Sequence, residues 1–416
     1  MKVRKILLDT LIIIVITLLF LAIIELVLRV TFPELKNYRK TPAHALAYEF
    51  NKDYLVALKP NVVKEFRIRK GEPDFGKVVT WKTNSLGFRG PEIGEKKGLR
   101  VIIYGDSNVQ ARFSDYQDTY PAVLQKLLRK KIKYAEVINA GLIGAGPDQS
   151  FLRLKHDFNA VKPDLVILHI FADNDYGDII KNRLFKLSDT GTLVRTGLPA
   201  TVDKKLPSLK RNIVYALRHL YLQGAIYYVA TKIADIKQSK LSNEQKVTKK
   251  MEILEDRASR SYQVYIKDKR RQFSHFGDNY DIDVATDPDS ESARIKIAIM
   301  DEIILSAKRF CDEKRVNFLL VVQPSMTDLT SIPGRIGYRN LTKRYKKYKP
   351  SNLTDPLKQL CSTQSLNCVH LIDSYRQNSP EDFYRNDGHW NTKGQQLAAK
   401  ETEKEIEKLL VPPTLN

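Results

Sequence analysis

Arg100-Val101-Ile102-Ile103-Tyr104-Gly105-Asp106-Ser107-Asn108 is the stretch from which the fold can be read. Its β-branched run stops at Gly105, as a short buried strand does, and a helical pattern follows over residues 119–128. A serine just past a strand end, beside a permissive glycine, lies where open α/β sheets place their ligand crevice. Ser107 is therefore a candidate nucleophile. A serine hydroxyl is weakly nucleophilic at neutral pH and needs a base. Gly, Asp and Ser also make ordinary turns, so this segment needs support from elsewhere in the chain.

Three more segments supply it. Residues 136–139 read as a second strand running into Asn139-Ala140-Gly141-Leu142-Ile143-Gly144, where the Gly144 N–H can approach a ligand closely. Residues 164–170 read as a third strand leading to Ala172-Asp173-Asn174-Asp175, whose Asn174 amide is a second donor. Acyl transfer builds negative charge on a carbonyl oxygen, and each preorganised donor aimed at it is worth roughly 3 kcal/mol. The last segment, Asp387-Gly388-His389-Trp390-Asn391, follows a strand-like stretch at 369–372 and precedes a helical pattern at 392–410. His389 is the candidate base, and Asp387 can orient it. Asp373, also at a strand end, is a rival for that role. The other histidines, at 44, 156, 169, 219, 275 and 370, read as structural. A helix at 293–310 and a strand at 316–323 resume the alternation, which predicts a parallel sheet covered on both faces.

Taken together and in this order, the four segments resemble the SGNH (GDSL-like) hydrolase family over residues 84–178 and 293–410. The resemblance implies a three-layer α/β/α fold with a parallel, flavodoxin-like sheet. It places Ser107, Gly144, Asn174 and His389 on the family's four named positions, with the Ser107 and Gly144 N–H groups and the Asn174 amide forming the oxyanion hole. There are departures. Asn108 follows the serine in place of leucine, and Ala172 replaces the glycine of the third block. The last block reads Asp387-x-His389, one residue shorter than usual, with Asn386 at the customary aspartate position. Asn84-Ser85-Leu86-Gly87-Phe88-Arg89-Gly90 looks like the lead-in of membrane-tethered members associated with surface polysaccharides.

Lys2, Arg4 and Lys5 precede an apolar stretch from 6 to 30, interrupted by Asp9, Glu25 and Arg29, and a membrane span needs about 20 such residues. No small-x-small site follows, which favours an uncleaved anchor over a signal peptide. Basic residues flank both ends, so charge decides little about orientation; the large domain is expected outside the cytoplasm. The expected organisation is a tail and anchor (1–32), a linker and packed extension (33–98), the catalytic domain in two parts (99–177 and 292–416), and a basic helical insertion or cap between them (178–291). Within that insertion, helical patterns run over 212–236, with many tyrosines, and over 243–269. Residues 203–271 hold 17 Lys or Arg against 7 Asp or Glu, nearly half of the chain's +21. Acidic lipid headgroups or an acidic glycan are the matching partners. No nucleic-acid motif accompanies the charge. Cys361 and Cys368 are spaced for a small-loop disulfide that would leave Cys311 free, and three reduced thiols are the alternative. No metal or other cofactor is expected, because clustered His/Cys ligand spacing is missing. The expected activity is ester hydrolysis or acyl transfer on an O-acylated, most simply O-acetylated, surface or exported polysaccharide. A lipid esterase or thioesterase, and a degenerate glycan-binding subunit, are the alternatives.

Overall fold

The computed structural model describes residues 2–38, 47–68, 74, 76–196, 220–266, 281–330 and 336–410. They fall into two compact units.

The larger unit is built on five parallel strands: β1 (Arg100–Gly105), β2 (Glu136–Gly141), β3 (Leu165–Phe171), β4 (Asn317–Gln323) and β5 (Cys368–His370). Their spatial order is β5-β4-β3-β1-β2, the flavodoxin-like arrangement. The register sets Val101 beside Leu165, Ile103 beside Ile167 and Leu320 beside Cys368. The sheet is parallel because each strand returns through a helix. All six residues of β1 and all seven of β3 are buried, as expected of strands covered on both faces. One face packs Val101, Ile103, Ile167 and Val321 against Tyr120–Leu128 and Thr392–Leu410. Pro147–Val161 and Glu291–Glu313 form the opposite layer. A fully buried isoleucine such as Ile103 contributes roughly 1.5–3 kcal/mol.

The helical patterns at 392–410 and 119–128 appear as Thr392–Leu410 and Tyr120–Leu128, the latter starting after Thr119 with a proline in its first turn. The strand expected at 369–372 is shorter. β5 ends at His370, and Leu371 and Ile372 open a helix, Leu371–Arg376. Their apolar side chains belong to the core in either conformation, so hydrophobicity alone could not separate strand from helix. Cys361 and Cys368 are joined by a disulfide linking Asp355–Thr363 to β5. Cys311 is a buried free thiol that burial pushes up to about 12.

The extension before the sheet begins with the antiparallel pair Tyr48–Asn51 and Leu55–Leu58. The Tyr48 hydroxyl donates to Gln110 Oε1 at 3.1 Å, and Gln149 Nε2 donates to the Tyr54 carbonyl at 2.8 Å.

The smaller unit contains the helix α1 (Lys2–Thr31), of which Leu8–Thr31 is long and apolar enough to cross a membrane. It also contains α2 (Tyr221–Ser239). A third helix, α3 (Asn243–Ile266), belongs to the larger unit and buries Val247, Met251 and Tyr262. The single helical insertion expected over 178–291 is therefore divided. The N-terminus of α2 is held by Glu25 of α1, whereas α3 contributes apolar side chains to the larger unit's interior. Of the expected helices, 212–219 and 267–269 lie outside the described residues.

Candidate active site

The parallel sheet brings the site together. β1 lies between β2 and β3, so the loops leaving the carboxyl ends of these neighbours emerge along one edge. Those loops carry Ser107, Gly144 and Asn174.

Ser107 is the first residue of a one-turn helix, Ser107–Gln110, and Asp106 is its N-cap. The Asp106 carboxylate accepts the Asn108 N–H at 2.8 Å and lies 3.2 Å from Ser107 Oγ. Gly141, at the end of β2, lets this turn approach. A Cβ there would sit 2.2 Å from the Gln110 nitrogen, so only glycine fits. Gly144 follows with φ +66°, in the left-handed region. Asn174 is buried in the turn after β3 and its Nδ2 donates to Asp178 Oδ2 at 2.9 Å, which orients the amide. Ala172 is fully buried, and its N–H donates to the Gln323 carbonyl at 2.9 Å.

His389 arrives from the far end of the chain. Its Nε2 lies 2.9 Å from Ser107 Oγ, the separation at which the hydroxyl donates to an unprotonated imidazole nitrogen. On the other side of the ring, Asp387 Oδ1 lies 3.1 Å from Nδ1. This is an ion-pair distance, although the Nδ1–H direction is bent away from a linear hydrogen bond. The same carboxylate accepts the His389 backbone N–H at 3.2 Å. Burial disfavours the imidazolium, but the Asp387 contact and charge, with the Asp106 charge, outweigh it and raise the His389 pKa. Burial would raise the Asp387 carboxyl, but the His389 contact and charge dominate, with help from Arg385, and hold it at about 2. Asp373 is not at the site. It is exposed on Leu371–Arg376, with Lys358 at 4.0 Å. His169, read as structural, is buried beside Trp390 at 5.1 Å between ring centroids, and burial pushes it down to about 3.

Sequence reasoning missed several residues that hold this geometry. Asn108, noted only as a departure, accepts the Trp390 N–H at 3.0 Å through Oδ1 and so ties the serine turn to the histidine loop. Gln395 Nε2 donates to the Asn108 carbonyl at 3.0 Å. Arg89, from the lead-in block, is buried and donates to the carbonyls of Gln110, Ala111 and Ser114, closing the end of the Ser107 turn. Burial lowers its pKa to about 10, still high enough for a guanidinium at neutral pH. The Asn-Ser-Leu-Gly-Phe-Arg-Gly block was the only available signal of this clamp.

The pocket at Ser107 and His389 is also lined by Arg112, Phe113, Ile143 and Trp390. The Arg112 guanidinium lies 4.3 Å and the Arg385 guanidinium 5.0 Å from the Phe113 ring centroid. Two cations therefore flank one aromatic wall of the pocket. Elsewhere, Cys361, Cys368 and His370 bring three ligand-type atoms within 4.8 Å, but both sulfurs are committed to the disulfide.

No family model and no curated protein matches the chain in sequence. Solved structures that superpose on it in part include a catalytic mutant of Axe2, an acetylxylan esterase from Geobacillus stearothermophilus, at 13% identity and TM-score 0.36, covering 76% of this chain and 96% of that one. The acetyl xylan esterase AlAXEase is 12% identical with TM-score 0.36, covering 75% and 100%. A GDSL-like lipase from Bacteroides thetaiotaomicron VPI-5482 is 10% identical with TM-score 0.34, covering 75% and 89%. At these scores the likeness carries no weight of its own, and the chemistry rests on the residues described above.

Proposed function

We propose that this chain is a membrane-tethered serine esterase or acyltransferase of the SGNH type, acting on O-acyl, most simply O-acetyl, esters of a surface or exported polysaccharide. The observation that carries the reading is the Ser107–His389–Asp387 alignment, with 2.9 Å between Oγ and Nε2 and 3.1 Å between Nδ1 and Oδ1. His389 Nε2 takes the Ser107 proton as Oγ attacks the acyl carbonyl. The N–H groups of Ser107 and Gly144 and the Asn174 amide hold the resulting oxyanion. The imidazolium, stabilised by Asp387, returns its proton to the departing sugar oxygen as the C–O bond breaks, leaving an acyl-serine. Water, deprotonated by His389, then releases the free acid and regenerates Ser107. A sugar hydroxyl taking the place of water gives acyl transfer with the same residues.

The Arg112–Phe113–Arg385 wall supports a substrate that carries negative charge near the scissile ester. A degenerate glycan-binding subunit has no need of His389 beside Ser107, and the 2.9 Å separation favours the active-site reading over it.

The test is fluorophosphonate labelling of the full-length protein in detergent, beside Ser107→Ala and His389→Ala. Labelling of the parent alone supports an activated serine and its base. Absence of labelling in a folded parent overturns the reading. Acetate release against acetyl transfer, measured on an O-acetylated acidic oligosaccharide, then separates hydrolase from transferase.

A further inference from the structure

We propose that α2 lies in the membrane–water interface, with one apolar stripe in the bilayer and its flanking lysines at acidic lipid headgroups. This rests on the reading of α1 as a membrane anchor. Ile226, Val229, Ile233 and Ile236 are 49% to 63% exposed. Their spacing of three, four and three residues places them within an arc of about 80° on a helix of 3.6 residues per turn. Lys232 and Lys237 border the two sides of this arc, and Asp235 lies on the opposite face. A continuous exposed apolar stripe edged by lysines is the pattern of a helix lying in an interface.

The occupant is identified by where the helix starts. The Glu25 carboxylate of α1 accepts the N–H groups of Tyr221 at 2.9 Å and Leu222 at 3.1 Å, capping the N-terminus of α2. Arg29 Nε donates to Glu25 at 2.7 Å, and its guanidinium lies 5.4 Å from the Tyr221 ring centroid. Glu25 is six residues from the end of α1 at Thr31, roughly 9 Å along the helix axis. The 20 residues on its other side, 5–24, make roughly 30 Å of helix, the thickness of the hydrocarbon core, so Glu25 falls at its boundary with the headgroups. The stripe begins one turn later, at Ile226. A span ending at this level delivers the stripe to the bilayer surface, and the lysines match anionic lipid.

The contact has a second consequence. Removal of α1 by processing would leave the first turn of α2 without its acceptor, so the two helices work as one anchoring device.

The experiment places an environment-sensitive thiol dye at Ile233→Cys, Val229→Cys, Asp235→Cys and Ile16→Cys in the full-length protein. The host is vesicles of phosphatidylcholine with phosphatidylglycerol, with or without acyl-brominated lipid. Cys311 is buried and the other two cysteines are disulfide-bonded, so the dye reports the introduced site. Each variant is first checked for parental fluorophosphonate labelling. The expected result is strong quenching at Ile16, Ile233 and Val229, with a blue-shifted emission, and little at Asp235. Quenching at Ile16 with no difference between Ile233 and Asp235 overturns the interfacial placement and leaves the anchor standing. No quenching at Ile16 overturns the anchor and this proposal together.

Discussion

The two halves of the candidate site are built by different means. Asp106, Ser107 and Asn108 are 1%, 4% and 1% exposed, and the turn that holds them is fixed by a buried strand, a glycine approach and the Arg89 clamp. The histidine loop lies near the surface, with the His389 side chain 24% and the Asp387 side chain 37% exposed. It is a short turn. Tyr384 bridges to Trp390, and the Arg385 N–H donates to the His389 carbonyl at 2.6 Å. The candidate nucleophile inherits its position from the sheet, whereas the candidate base is positioned by a few hydrogen bonds at the rim. Disturbing the contacts that brace the first half should cost stability as well as activity; disturbing the second should cost activity with the fold intact.

Ser107→Ala gives the largest effect expected. It should lower turnover by roughly 10⁴- to 10⁶-fold while leaving the thermal midpoint near the parent's, because only a hydroxyl is removed. Steady-state kinetics with a chromogenic acetate ester, beside a melting curve, checks both. Asp387→Asn comes next, with a loss of roughly 10²- to 10⁴-fold. The parent needs neutral His389, whose pKa is raised by Asp387, so its rate should fall as pH drops through a value above the ordinary histidine range. Losing the carboxylate should move that acid limb to lower pH, and a pH–rate profile reads the shift directly. An unmoved limb would assign His389's environment to another group.

Arg89→Met tests the other half. It takes the buried donor from the Gln110, Ala111 and Ser114 carbonyls, of which Ala111 keeps the Ser114 N–H at 2.9 Å, so unfolding should become easier by about 3 kcal/mol, measured by denaturant titration. If stability is unchanged, the clamp is not what holds the serine turn. Asn108→Leu keeps a side chain of similar size but cuts the link to the Trp390 N–H. About a tenfold drop in kcat, corresponding to 1.4 kcal/mol, is expected with little change in KM. Arg112→Ala gives the smallest effect, a severalfold rise in KM for an anionic ester over its neutral counterpart.

The oxidised pair Cys361–Cys368 was not separable from its alternative in the sequence, and the α1–α2 contact left no signal there. Seven positions of spacing suit a disulfide or two thiols equally, and pairing is decided by how Asp355–Thr363 meets β5. The insertion read as one body because its two helical patterns are neighbours in sequence, while Glu25, almost 200 positions away, captures one of its helices.

By itself, the sequence determined the alternating strands and helices, the three loops at carboxyl strand ends and the histidine segment before the last helix. Buried β-branched runs, glycines and helical periodicity are local signals, and parallel strand order turns local signals into one crevice. Tertiary structure alone decided that Asp387 and not Asp373 meets His389, that Arg89 and Asn108 brace the serine turn, and that Arg112 and Arg385 flank Phe113. Those choices depend on contacts such as Ser107–His389, separated by 282 positions, where the energetics lie in distance and burial rather than in the pattern of neighbouring residues.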